Sequence, residues 1–159
     1  MALPSLDEWI ERRAVRDTVL RYARGVDRRN WELFRSCFCD EVDIDLSSWN
    51  GQPASTLPAD TWVQGVRAGL SGFDATQHMG ANHLIERDGD RARCTSDVQA
   101  SHALDGERCT LGGWYDMGLI RMADGWKIRS SRLEITWRSG DESLFAQAAA
   151  RYALGSDEA

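Results

Sequence analysis

The sequence has no long apolar segment and no leader-like start. Its apolar runs fall well short of the roughly 18 residues that a transmembrane helix needs, so no membrane span is predicted. The first residues include Pro4, Asp7 and Glu8 and lack the apolar stretch of a signal peptide. We therefore expect a cytoplasmic location.

Uncompensated positive charge is also missing. The net charge is -6, and the densest basic stretch, residues 12–29, is interleaved with acids. A nucleic-acid-binding protein normally presents a basic face that acids do not neutralise. Nucleic acid is therefore not expected as a partner.

Metal-binding and nucleotide-binding motifs are absent. The four cysteines include Cys37-x-Cys39, which is not the C-x-x-C spacing of zinc or redox sites, and they are expected to be small buried hydrophobes in a reducing compartment. The sequence contains no G-x-G-x-x-G, G-x-x-x-x-G-K-[ST], H-E-x-x-H or G-x-S-x-G. The three histidines are expected on separate faces, which argues against a catalytic zinc site. We expect no metal and no cofactor, so any chemistry would be proton transfer by side chains.

What is present is an ordinary globular composition. The chain has 159 residues, of which 42% are hydrophobic, and this size suits a single domain. We expect its core over about residues 5–140, a C-terminal helix over 141–154 and a loose tail over 155–159.

The first half of the chain shows helical patterns. Residues 5–26 combine a capping box, Ser5 with Glu8, with apolar residues near a 3.6-residue period. Shorter helices are predicted over about 30–38 and 60–70, the latter capped by Asp60. Alternation over residues 42–46 indicates a strand, and the polar segment 47–58 is predicted to be a loop.

The second half alternates and turns. Three Asp-Gly pairs, at residues 88–89, 105–106 and 124–125, separate long alternating segments, which is a strong hairpin signal. They predict an antiparallel meander of strands over about 74–87, 90–104, 108–122 and 126–138. The class is therefore α+β, with a strongly curved, cone-like sheet that three N-terminal helices close over a pocket.

His78 and Asp27 are the first candidates for catalysis. Histidine titrates nearest neutrality, but a lone strand histidine is more often a packing residue than a base. Asp27 lies where the first helix ends, a place that the helix dipole disfavours for a carboxylate. If it points into the pocket, it can orient His78 as a base. His83 has the opposite parity to His78 and should face away, unless a bulge at Gly80 resets the register.

Hydroxyl and aromatic side chains complete the candidate set. Tyr22 and Tyr115 can donate hydrogen bonds, with packing in the core as the alternative, and Trp49 can line the pocket, although a position in the core is the more usual one for tryptophan. His102 lies near the end of the next strand on a face that is predicted to be buried.

In its middle part, over about residues 20–140, the chain resembles the SnoaL-like branch of the nuclear transport factor 2-like superfamily, and within it the scytalone dehydratase-like members. The matching segments, in order, are Asp27-Arg28-Arg29-Asn30-Trp31, Ile44-Asp45, Thr76-Gln77-His78 and Asp124-Gly125-Trp126-Lys127.

The resemblance implies a site and an activity. Scytalone dehydratase-like enzymes remove water beside a carbonyl with an Asp–His pair, which here is Asp27 with His78, next to a second histidine, His102. Their asparagine falls on Asp116, and two of their tyrosines fall on Val26 and Leu46, so the resemblance leaves the substrate open. A related branch, the bile acid 7α-dehydratases, implies a catalytic role for Tyr22 and for an arginine near the end of the last strand. Arg132 and Arg138 both lie nearby without aligning cleanly, and Arg132 is taken as the pocket candidate.

Three functions are then open. The first is a dehydratase acting on a hydrophobic cyclic polyketide, steroid or terpenoid. The second is a polyketide cyclase, ketosteroid-type isomerase or dehydrohalogenase on the same frame. The third is a non-catalytic ligand-binding or dimerisation module, which an Asp27–His78 separation above about 4 Å would favour. A homo-oligomer is expected, with a trimer favoured by the relatives and a dimer as the alternative.

Overall fold

The computed structural model describes residues 5–156. The helices are α1 (Leu6–Asp27), α2 (Trp31–Arg35), α3 (Ser47–Asn50), α4 (Ala59–Leu70) and α5 (Leu144–Ser156). The strands are β1 (Phe38–Asp45), β2 (Ser55–Pro58), β3 (Ala75–Asp88), β4 (Arg91–Leu104), β5 (Glu107–Met122) and β6 (Gly125–Gly140).

A single mixed sheet carries the fold. Its strand order is β2-β1-β6-β5-β4-β3, in which β1 runs parallel to β6 and all other neighbours are antiparallel. The predicted meander β3–β6 is present, and the helices are segregated from it, which confirms the α+β class. Gly89, Gly106 and Gly125 have positive φ angles at the three hairpins, which explains glycine at each turn.

Helix α1 lies across the sheet and ends beside its edge. Ser5 caps it by accepting a hydrogen bond from the Glu8 backbone nitrogen at 3.2 Å. The stripe formed by Val15, Val19 and Val26 is buried against the sheet, so the 3.6-residue apolar period fixes which way α1 faces. This orientation carries the C-terminal end of α1 to strand β3.

Helix α5 packs beside α4 and against one end of the sheet. Its Leu144 and Ala148 are buried with Phe73 and Leu111 in a second apolar cluster. A Cβ atom on Gly72 would overlap the Ala148 carbonyl group, so the close packing of α5 requires glycine there.

A bulge in β3 resets its register. The pairing with β4 shifts between Ala81 and Leu84, and Asn82 has a φ of 53°. As a result, the inward positions change from even to odd numbers, and His83 faces the same side as His78. The sequence placed this possible bulge at Gly80, two residues too early.

Three local expectations were wrong. The segment 47–58 is not a loop throughout, because it contains α3 and β2, and β2 pairs with β1. Asp60 does not cap α4, whose N-cap is Pro58 without a side-chain hydrogen bond. Helix α5 extends through Gly155 to Ser156, so these two residues are helical and not part of a loose tail; the rest of the predicted tail, residues 157–159, lies outside the described residues. Within residues 5–156, no helix is long and apolar enough to cross a bilayer.

Candidate active site

Asp27 and His78 are in direct contact. Oδ1 of Asp27, the last residue of α1, lies 2.7 Å from Nδ1 of His78 on β3. The other carboxylate oxygen, Oδ2, accepts a hydrogen bond from the His78 backbone nitrogen, also at 2.7 Å. The side chains are only 19% and 9% exposed, respectively. The helix terminus and the strand are therefore joined at this one carboxylate.

Hydrogen bonds keep Asp27 ionised. Burial alone would raise the pKa of its carboxyl, but the hydrogen bonds from His78 and Thr76 outweigh burial and lower that pKa below its usual value. An ionised carboxylate can only accept hydrogen bonds, so Nδ1 of His78 carries the proton. Nε2 has no hydrogen-bond partner among residues 5–156, so in the neutral form of the ring it is the nitrogen that holds the free lone pair.

An apolar cavity of about 410 Å³ lies on one side of His78. The sequence-predicted residues that line it are Tyr22, Val26, Leu46, Trp49, His78, His102 and Tyr115. A second cavity of about 680 Å³, between α1 and β3, borders the other side of the pair and includes Asp27 and His83. We call the first the inner cavity and the second the outer cavity.

The two buried tyrosines face each other in the inner cavity. The hydroxyl oxygens of Tyr22 and Tyr115 lie 3.5 Å apart. Burial raises the pKa of both phenols, for Tyr22 with a further contribution from Tyr115. Both groups therefore stay protonated at neutral pH and can donate hydrogen bonds to a ligand.

His102 lies beside His78 on the neighbouring strand. The two rings are 5.5 Å apart and nearly perpendicular, and His102 also packs against Phe73 and Phe145 at 5.2 Å and 4.7 Å between ring centroids. Burial lowers the pKa of His102 to about 4, and the neighbouring His78 acts in the same direction because a proton on His102 would face that ring. Its Nδ1 has no hydrogen-bond partner among the described residues. His102 is therefore a neutral imidazole at neutral pH.

Asp116 and Arg132 are not in the inner cavity, contrary to the resemblance. Asp116 forms a two-point ion pair with Arg93, at 2.8 Å and 2.7 Å. Arg132 pairs with Glu134 at 2.9 Å. The cause is the pleat, because side chains alternate along a strand and the cavity-facing positions are Tyr115 on β5 and Leu133 on β6.

Two polar residues that support Asp27 were missed. Thr76 Oγ1 donates to Asp27 Oδ1 at 3.0 Å, and Arg29 Nη1 donates to the same hydroxyl at 3.0 Å. Thr76 was noticed only as part of a matching segment, and Arg29 only as a neighbour of Asp27. The even spacing of Thr76 and His78 on one strand was the available signal for Thr76.

The helical wall of the inner cavity was also missed. It is formed by α4 and α5, with these contributors: Trp62, Gly65, Val66, Gly69, Leu70, Phe145, Ala146 and Ala149. The apolar face of α4 was visible in the sequence, but nothing local indicated that it faces a cavity instead of solid core.

The thiols show no sign of chemistry. All four cysteines are buried and unbridged. Burial raises the pKa of Cys37 and of Cys94 to about 11, which keeps both thiols protonated. Among the described residues, no group of three or more His, Cys, Asp or Glu side chains is arranged to hold a metal ion.

The arrangement of helix-end carboxylate, strand histidine and apolar cavity agrees with a family comparison. The SnoaL-like domain matches residues 7–132, which is most of the chain. The chain belongs to the SnoaL-like family. The family resemblance found in the sequence is thereby confirmed.

Three solved structures superpose closely on this chain. Protein Kfla4162 of Kribbella flavida is 30% identical, with a TM-score of 0.80 over 89% of this chain and 98% of that chain. A candidate scytalone dehydratase of Novosphingobium aromaticivorans is 21% identical, with a TM-score of 0.74 over 84% and 89%. The hexachlorocyclohexane dehydrochlorinase LinA-type3 of Novosphingobium barchaimii is 19% identical, with a TM-score of 0.71 over 86% and 94%. The last two establish similarity of fold.

Proposed function

We propose that this SnoaL-like chain is a dehydratase that eliminates water from a hydrophobic cyclic compound, with His78 as the base. The observation that carries the proposal is the 2.7 Å contact between Asp27 and Nδ1 of His78 at the wall of an apolar cavity. Asp27 fixes the ring tautomer, so Nε2 can accept a proton. A separation that short speaks against a purely structural module.

In the proposed elimination, His78 both removes and returns the proton. Nε2 takes a proton from a carbon next to a carbonyl group, and the electron pair left behind forms a carbon–carbon double bond. The bond between the neighbouring carbon and its hydroxyl oxygen breaks. The protonated His78 then gives the same proton to the departing hydroxyl, so water leaves and the neutral imidazole is restored.

The tyrosine pair supplies stabilisation in this scheme. Tyr22 and Tyr115 donate hydrogen bonds to an oxygen that gains negative charge, which lowers the barrier most when water is excluded. His102 is neutral at neutral pH, since its pKa is about 4, and so serves as a hydrogen-bonding wall of the cavity in this proposal. The pair is therefore a better donor than His102.

Elimination is favoured over isomerisation or cyclisation by the solved relatives. One is a candidate dehydratase and another is a dehydrochlorinase, and both names describe eliminations on this fold. The cavity volume of about 410 Å³ suits a ring compound. Assembly as a homo-oligomer, with a trimer preferred, remains a prediction from the resemblance, and so does a cytoplasmic location.

The base can be tested without the natural substrate. The probe 5-nitrobenzisoxazole is a flat apolar ring: when a base removes its C3 proton, the N–O bond breaks and the oxygen leaves as a coloured phenolate. We expect the chain to accelerate this reaction, and His78→Gln to lower kcat by about 10²-fold or more.

The matched control is His83→Gln. His83 lies on the same strand and faces the same side, but it lies outside the inner cavity. Its removal should leave the probe rate unchanged. Equal loss in both variants, or no acceleration by the wild-type chain, would refute the proposal.

A further inference from the structure

We infer that Arg29 is a positioning residue of the proposed reaction, because it orients the Thr76 hydroxyl towards Asp27 and so fixes the carboxylate that holds His78. The inference rests on the proposed function and adds a residue that does not touch the substrate. The inference is based on the hydrogen bonds that the Arg29 guanidinium makes next to the Asp27–His78 pair.

Arg29 makes three hydrogen bonds, and all of them go to neutral oxygens. Nη1 donates to the Val26 carbonyl at 3.2 Å and to Thr76 Oγ1 at 3.0 Å, while Nη2 donates to the Phe73 carbonyl at 3.1 Å. No carboxylate lies within ion-pair distance of it among residues 5–156. Arg93, by contrast, pairs with Asp116 at the surface.

The direction of the Thr76 hydrogen bond follows from these contacts. A guanidinium can only donate, so Thr76 Oγ1 must accept from Arg29. The single hydroxyl proton is then free to point at Asp27 Oδ1, 3.0 Å away. Thr76 is buried, with 8% of its surface exposed, so no bulk water competes for the hydroxyl. Arg29 thus decides which way Thr76 donates.

Asp27 receives all its hydrogen bonds from one strand. Oδ1 accepts from Thr76 and from His78 Nδ1, and Oδ2 accepts from the His78 backbone. If the Thr76 hydroxyl turned away, Oδ1 would keep only the imidazole contact and the carboxylate could rotate. Rotation would weaken the preference of His78 for the Nδ1–H tautomer, on which the free Nε2 lone pair depends.

The backbone at Arg29 is shaped for this role. Its φ is 55°, in the left-handed region that a non-glycine residue occupies at a cost of order 1 kcal/mol or more. The Arg29 backbone nitrogen donates to the Val26 carbonyl at 3.1 Å, which turns the chain sharply after α1. This turn directs the side chain back to the Val26 carbonyl and towards Thr76.

The same guanidinium also reaches the wall around the second histidine. Its third acceptor, the Phe73 carbonyl, belongs to the residue whose ring packs on His102 at 5.2 Å. Arg29 therefore ties the end of α1, the start of β3 and the segment before β3 into one unit. Both imidazoles of the cavity wall depend on that unit.

The test compares Arg29→Gln with Arg28→Gln. Both variants remove one positive charge at adjacent positions, but the exposed Arg28 side chain has no hydrogen bond or ion pair with the described residues. Side-chain ¹⁵N NMR of the histidines at neutral pH reports the tautomer of His78. We expect Nδ1–H in the wild type and in Arg28→Gln, and a mixture of both tautomers in Arg29→Gln.

The rate with 5-nitrobenzisoxazole is the second measurement. Arg29→Gln should lower kcat by about 10-fold with little change in KM, because the base is misoriented while the cavity is intact. Arg29→Lys, which keeps a donor towards Thr76, should recover most of that loss. An Arg29→Gln protein with the wild-type tautomer and the wild-type kcat would overturn the inference.

Thr76 provides the test if Arg29→Gln does not fold. Thr76→Val removes the hydroxyl and should produce the same tautomer mixture, whereas Thr76→Ser should not. The two proposals also separate: a tautomer change without any probe turnover by the wild type supports positioning by Arg29 and refutes the lyase. Probe turnover that requires His78 but not Arg29 or Thr76 does the opposite.

Discussion

Asp27 holds His78 at two points, the ring nitrogen Nδ1 through Oδ1 and the backbone nitrogen through Oδ2, each at 2.7 Å. This double contact fixes both the position of the strand and the rotation of the imidazole. It places a carboxylate at the C-terminal end of α1, where the helix dipole alone would disfavour it. The site therefore takes its geometry from a contact between two elements.

Replacing Asp27 by asparagine should show how much the Asp27–His78 contact contributes to the rate. The amide of Asp27→Asn can donate to Nδ1, which favours the wrong tautomer of His78, so we expect kcat with 5-nitrobenzisoxazole to fall by about 10²- to 10⁴-fold. Asp116→Asn is the matched control, because the Asp116 carboxylate lies outside the inner cavity and pairs with Arg93. A similar rate in both variants would contradict the assigned role.

The tyrosine pair should act as one unit. Tyr22→Phe or Tyr115→Phe each removes a buried donor and should lower kcat with the same probe by about 10²-fold. Because the hydroxyls lie 3.5 Å apart, the double variant should lose less than the product of the two single losses. Tyr152→Phe, which lies on α5 outside the inner cavity, should have no effect; strictly multiplicative losses would show that the two hydroxyls act separately.

The buried His102 should make stability depend on pH. Burial lowers its pKa from 6.5 to about 4 in the folded chain, so between these values the unfolded chain binds more protons. The free energy of unfolding is therefore unaffected by His102 well above pH 6.5 and decreases as the pH falls towards 4. The decrease due to His102 is about 2 kcal/mol at pH 5. Urea unfolding at pH 7 and pH 5 measures the loss.

The variant His102→Phe isolates this contribution. It keeps a ring between Phe73 and Phe145 but cannot bind a proton, so its stability should fall by about 2 kcal/mol less than that of the wild type between pH 7 and pH 5. The remaining decrease belongs to other titrating groups. Identical losses in the two proteins would show that His102 is not the group responsible.

Two helical glycines should respond in opposite directions to alanine. A Cβ on Gly25 would lie 2.8 Å from the Phe34 backbone nitrogen, so Gly25→Ala should separate α1 from α2 and cost about 2 kcal/mol. A Cβ on Gly65 meets nothing within 4 Å. Gly65→Ala should therefore stabilise α4 by about 0.5–1 kcal/mol.

Urea denaturation of both glycine variants provides the measurement. Each serves as the control for the other, since the chemical change is the same and both sites are helical. Destabilisation of equal size at both sites would mean that helix propensity and space at the Cβ do not explain these positions.

The long elements could be predicted because each carries its own periodic signal. Helix α1 and strands β3 to β6 were found from apolar spacing and Asp-Gly turns, within a few residues of their observed ends. The short elements α3 and β2 were missed, because four residues carry too little pattern and β2 exists only through pairing with β1. Their polar, glycine- and proline-containing sequence indicates a loop.

The pair Asp27 and His78 could be singled out from residue chemistry and from the resemblance, but its surroundings could not. Asp116 and Arg132 were assigned to the cavity by matching positions to a family, whereas strand parity turns them outwards. The bulge at Asn82 has the reverse effect on His83, whose side chain it turns to the same side of the sheet as that of His78. A shift of one residue in the register changes the side of the sheet that a side chain faces, and the register depends on pairing between strands.

By itself, the sequence determined the class of the fold and the family, and it singled out Asp27 and His78 as candidates, because local periodicity and side-chain chemistry can be read residue by residue. Only the tertiary structure decided that these groups touch, that Thr76 and Arg29 stand behind them, and that α4 and α5 leave a hollow in front of them. Those facts depend on distances between segments 40 to 120 residues apart, as between Asp27 and His78 or Phe145. Such distances are fixed when helices pack on a curved sheet, a process that no single segment encodes.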